Sequence, residues 1–126
     1  MSHTIIYNKS EHLIEMKVQE ELALDEVKEM VLESTLIAKE NNCHLFLTDF
    51  REAKIKLSTF DIYDLPKKIS DLISSGDLES HRLKRAIVAP INSIDLRFFE
   101  TVTVNSGQNA KLFYDVDEAR KWLLKT

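Results

Sequence analysis

A net charge of −4 over 126 residues, with 21 acidic side chains against 17 Lys and Arg, argues against nucleic acid as a partner, because phosphate binding needs a concentrated basic surface. The length is that of a single domain, residues 1–126, able to bury a core without disulfide or metal, and 44% hydrophobic with 30% charged residues is the balance of an ordinary globular chain. No apolar run approaches the roughly 20 residues that cross a bilayer, the start MSHTIIYNKSEHLIE lacks the segments of a secretion signal, and the one cysteine fits a reducing compartment, so the expected location is the cytoplasm.

In chain order, TIIY and HLIEMKVQ read as two short strands joined by the polar turn NKSE. In the second, Ile14, Met16 and Val18 alternate with Glu15, Lys17 and Gln19, so one face is buried and the other wet. A helix over about residues 25 to 41 follows, with Val27, Met30, Val31, Ile37 and Ala38 at helical spacing and Asp25, Glu26 and Glu29 near its positive end. Asn41 and Asn42 provide a stop, since Asn tolerates the left-handed conformation.

HLFLT (44 to 48), RAIVAP (85 to 90) and AKLFYD (110 to 115) carry short continuous apolar runs, the pattern of strands covered on both faces. Helical patterns lie between them, and strand–helix alternation demands crossovers and hence a largely parallel sheet. In the middle helical region, Leu57-Ser58-x-x-Asp61-Ile62 matches a capping box with a hydrophobic staple, and Pro66 predicts a break near Asp64, where a second helix restarts and runs to about Ser75. In the next helix Ile94, Phe98 and Val102 form one stripe beside Leu96 and Phe99, and Gly107 ends it. The last helix opens on Asp115 with Glu118 three residues on, and Ala119, Trp122 and Leu123 dock it. The predicted fold is α/β: one five-stranded mixed sheet, the first strand antiparallel and the remainder largely parallel, flanked by about four helices.

Two glycines, Gly76 and Gly107, cannot build a glycine-rich phosphate loop or a dinucleotide fingerprint. His3, His12, His44 and His81 are scattered without metal-ligand spacing and read as surface or strand-end residues, while Cys43 reads as a small apolar filler. No metal or cofactor is expected. Asp49 stands at the carboxyl end of a presumed parallel strand, where open α/β sheets place their sites; it equally suits a loop-capping role. Ser58 and Thr59 open a helix, a position that favours a cap and would also favour a phosphate. The basic knot HRLKR, with Arg82, Lys84 and Arg85, reads either as a solvated loop entering a strand or as a seat for an anion.

The element order together with FLTDFRE, LKRAIVAP and FFETVTVNSGQNAKLFYDVDEARKWL resembles the STAS-like group of small bacterial proteins similar to the sporulation anti-sigma-factor antagonists. Within it, the likeness is to the branch described as STAS and CRAL-TRIO-like. The resemblance spans nearly the whole chain, and its most specific part is the C-terminal pattern of a Phe-Phe helix, an Asn-x-Gly break, a KLFYD strand and DEARKWL. In the antagonist branch an Asp ending the third strand is followed by an Asp-Ser-Ser-Gly motif whose Ser a partner kinase phosphorylates. Asp49 matches that first Asp; the motif itself is replaced by KLSTFD, leaving Ser58 and then Thr59 at the phosphorylated position. The other branch implies an apolar ligand cleft between sheet and helices.

These readings lead to a non-enzymatic STAS-like binding or regulatory module acting through protein contacts. The alternative is a carrier or sensor of a small apolar or lipid-like ligand, and an enzyme using Asp49 comes third. An edge hairpin and the adjacent Phe98 and Phe99 predict a homodimer.

Overall fold

The alternation of Ile14, Met16 and Val18 becomes the second strand of a five-stranded sheet in a computed structural model that describes residues 3–125. The strands are β1 (His3–Asn8), β2 (Leu13–Leu22), β3 (Leu45–Ile55), β4 (Lys84–Val88) and β5 (Asn109–Phe113), and the helices α1 (Leu24–Asn41), α2 (Thr59–Ser75), α3 (Ile94–Asn105) and α4 (Val116–Leu124), with a short 3-10 turn at Ser80–Arg82. β1 pairs antiparallel with β2, and every other pairing is parallel. The fold class read from the sequence is therefore the one the chain adopts.

The strands lie in sequence order across the sheet. Crossovers between parallel strands are right-handed, so three successive steps in one direction put α1, α2 and α3 on the same face. α4 follows the last strand and covers the opposite face, over β3 and β4. Alternation along β4 then separates the two cores. Ala86 and Val88 join Leu13, Leu47, Ala119 and Leu123 under α4, while Ile87 and Ala89 point to the three-helix side, where Ile14, Val18, Phe46, Leu65 and Ile69 are also buried.

Several elements depart from expectation. β3 runs to Ile55 rather than ending at Thr48, because beyond Asp49 it leaves β4 and pairs only with the end of β2, from Gln19 with Glu52 to Leu22 with Ile55. This two-stranded extension follows a register shift between Lys17 and Gln19, and Lys17 Nζ meets Glu52 across it at 2.9 Å.

The expected break near Asp64 does not occur: α2 is one continuous helix with Pro66 inside it. The proline removes one helical hydrogen bond, but its ring is fully buried, and Ile62, Leu65, Ile69 and Ile73 keep one unbroken apolar face on the core. Packing outweighs the lost bond. In α3 the buried stripe is Leu96 and Thr103 with Phe99 between them, whereas Ile94 is 75% exposed. Phe99 packs into the core instead of forming an exposed pair with Phe98, and β1 and β5 are the two edges of the sheet.

Other local signals hold. α1 stops at Asn42 in the left-handed conformation, with φ 49°. Asp115 caps α4 by accepting from the Glu118 amide at 3.3 Å. His3 is buried rather than on the surface, its Nδ1 2.8 Å from Glu26, which fastens β1 to α1.

Candidate functional site

α1 and α3 each lie close on strands, whereas α2 is held chiefly by its neighbours α1 and α3. It spans them as a roof over β3 and β4, its buried face in the same core as Phe46. Its N-terminal end is fixed by the capping box: Ser58 Oγ accepts from the Asp61 amide at 3.1 Å, and an Asp61 carboxylate oxygen accepts from the Ser58 amide at 3.3 Å. Leu57 and Ile62, the staple pair, pack into the same core. Its C-terminal end is fixed by close approach to α1, since a Cβ on Gly76 would stand 2.6 Å from Thr35 Cγ2.

Beneath this roof is a cavity of about 110 Å³. That is the order of the roughly 150 Å³ apolar cavities that stay dry and admit a benzene-sized molecule. Its floor is Phe46, Thr48 and Phe50 of β3 with Arg85 and Ile87 of β4; its roof includes Leu65 and Ile69 of α2. The β2–β3 extension closes one side with Leu22 and Ile55. Nearly all of the wall is carbon, and the polar exceptions are Ser34, Thr35, Thr48, Arg85 and Asp95.

Arg85 is the unusual member. Its neighbours along and across the sheet on this face include Phe46, its register partner, and Ile87. The residue keeps some accessible surface, but its Nε is shielded from solvent and has no hydrogen-bond partner. One Nη2 bond goes to the Gln108 carbonyl oxygen. Gln108 is itself buried, and its amide nitrogen donates to the Pro66 carbonyl at 3.1 Å, tying the guanidinium to the roof. Asp95, the one carboxylate among the lining residues, forms no ion pair with it. Burial alone, with no compensating charge, lowers the Arg85 guanidinium to about 10, so it remains a cation at neutral pH.

The basic knot does not form one anion seat. Arg82 lies on the exposed 3-10 turn, its Nε 2.9 Å from Glu79. Lys84 points to the α4 face, where Nζ donates to the Trp122 carbonyl at 2.6 Å and sits 4.5 Å from the centre of the Trp122 ring. Only Arg85 reaches the cavity. A basic residue in a basic run reads as surface, so its burial has no signature in the sequence.

Asp49 lies on the other side of the sheet from the cavity. It shares the α4-facing register with Leu47, and both carboxylate oxygens are taken by Arg51: Nε donates to one at 3.0 Å and Nη2 to the other at 2.9 Å, with the Arg51 amide adding a bond at 3.0 Å. Burial pushes the Asp49 carboxyl up, but these Arg51 bonds outweigh it and hold it below the usual carboxylate range. Asp49 thus caps the local backbone, and Ser58 and Thr59 are exposed at the N-terminal end of α2, outside the lining of the cavity. Cys43 is 1% exposed, and burial pushes its thiol up, consistent with an apolar filler. Among the described residues no three His, Cys, Asp or Glu side chains gather as a metal site, and no helix is long and apolar enough to cross a membrane.

No family model matches the chain, and no curated protein matches it.

Proposed function

We propose that the protein is a non-enzymatic carrier or sensor of a small apolar ligand held between the sheet and α2. The observation that carries this reading is the carbon-lined cavity under a helix that is anchored at both ends. Close-packed interiors leave few voids larger than a water molecule, and a concave, mostly apolar pocket with a few polar groups is the usual form of a small-molecule site. The STAS-like likeness, with its CRAL-TRIO-like branch, points the same way. A regulatory module working through protein contacts at Ser58 rests on that likeness alone.

Met16 and Met30 line the cavity and report on it directly. In protein labelled at the methionine and leucine methyls, titration with 1-octanol should shift the Met16 and Met30 signals and leave Leu13 and Leu123, on the α4 side, in place. Unmoved Met16 and Met30 signals at saturating octanol would refute the reading.

A further inference from the structure

We infer that the ligand is an apolar monocarboxylate whose head group pairs with Arg85 while its hydrocarbon part fills the space under α2. This deepens the apolar-ligand reading and rests on it. Three observations converge. Arg85 is the one cation in the cavity wall. Its Nε is shielded from solvent and unpartnered. Among the described residues its side-chain partner is a neutral amide, Gln108 Oε1, which leaves the charge uncompensated.

A guanidinium in such a position is costly, because leaving water is repaid only by an opposite charge with good hydrogen-bond geometry. No carboxylate of the described residues supplies one: the ion pairs of the chain lie elsewhere, with Arg120 on Glu11 and Glu15 and Arg51 on Asp49. A ligand carboxylate would. Its two oxygens match the planar donor fork of arginine, and the bond is charge-assisted in a shielded site. A phosphate head group fits less well, since a second negative charge would find no second cation in the wall. Apart from Ser34, Thr35, Thr48 and Asp95, the remaining lining, with Leu65, Ile69, Phe46 and Ile87, offers only hydrocarbon.

Gln108 has a defined part in this arrangement. Bridging Arg85 and the Pro66 carbonyl, it fixes the guanidinium under the roof and links head-group capture to the position of α2. Gln108 is therefore a positioning residue.

The test compares octanoate, methyl octanoate and 1-octanol at neutral pH, by calorimetry and by the Met16 and Met30 methyl signals. The wild-type chain should bind octanoate at least tenfold more tightly than its methyl ester or the alcohol. Arg85→Met should abolish that preference while still binding octanol, and Arg85→Gln should behave likewise. Equal binding of all three compounds to the wild type would overturn the head-group inference and leave the apolar-ligand reading standing. Persistence of the preference in Arg85→Met or Arg85→Gln would also overturn it. If no compound moves Met16 or Met30, both fall. The wild-type comparison needs no variant, so a misfolded substitution cannot leave the question open.

Discussion

Lys84 and Arg85 are adjacent on β4 and deliver their charges to opposite faces of the sheet. Lys84 ends on the Trp122 carbonyl over the Trp122 ring, at the surface of the α4 core, while Arg85 ends on Gln108 under α2. The first cation is satisfied by a carbonyl and an aromatic face. The second is held in an apolar space with a neutral partner. In the absence of ligand, Arg85→Met should therefore make the protein more stable, by about 1 to 3 kcal/mol after allowing for the acceptor left on Gln108. Urea unfolding of both proteins checks this. A less stable Arg85→Met protein would show that the charge is already compensated.

Ser58 is bonded as a reciprocal cap with Asp61. Ser58→Ala should cost about 0.5 to 2 kcal/mol and Ser58→Asp, which can still cap, much less. Chemical denaturation measures both. If neither substitution changes stability, the capping role is wrong.

The two faces of the sheet should respond oppositely to added volume. Leu65→Phe places extra carbon into the cavity and should change stability by less than about 1 kcal/mol while weakening octanol binding. Val88→Phe, on the α4 side where Val88 is fully buried, should cost about 1 to 3 kcal/mol or more through overpacking. Thermal denaturation of the two variants compares them. Equal costs would mean that the space under α2 does not relax to admit volume.

The Asp49 and Arg51 pair gives a pH signature. The carboxyl is held below its ordinary range in the folded chain, so the pair stabilises the fold above the unfolded carboxylate's pKa. That contribution is lost as pH falls through the lower folded value. Asp49→Asn should be less stable than wild type at neutral pH, by under about 1 kcal/mol because Arg51 is largely exposed. The gap should close as pH drops below about 4. A gap that persists into acid would assign the effect to packing instead.

Features set by near neighbours in the chain were legible. The Ser58 cap, the Asn42 stop, the Asp115 cap and the alternation in β2 each depend on a few consecutive residues. Strand and helix alternation was enough for the parallel sheet. The tail of β3 was hidden because it pairs on one edge only, beyond β4, and so carries no apolar run. Continuity of α2 through Pro66 was hidden because distant packing decides it. Arg85 was read as one of a basic group, and the sheet's alternation, with the cavity under α2, separates it from Arg82 and Lys84. The cavity could not be seen in composition at all, since a solid core uses the same Phe, Leu and Ile residues.

The most direct measurement is a crystal structure of the protein grown with octanoate. The account predicts one molecule beneath α2, its chain against Phe46, Ile87, Leu65 and Ile69 and its carboxylate on the Arg85 guanidinium. A closed core, with Leu65 and Ile69 packed down onto β3 and β4 and no ligand between them, would contradict it.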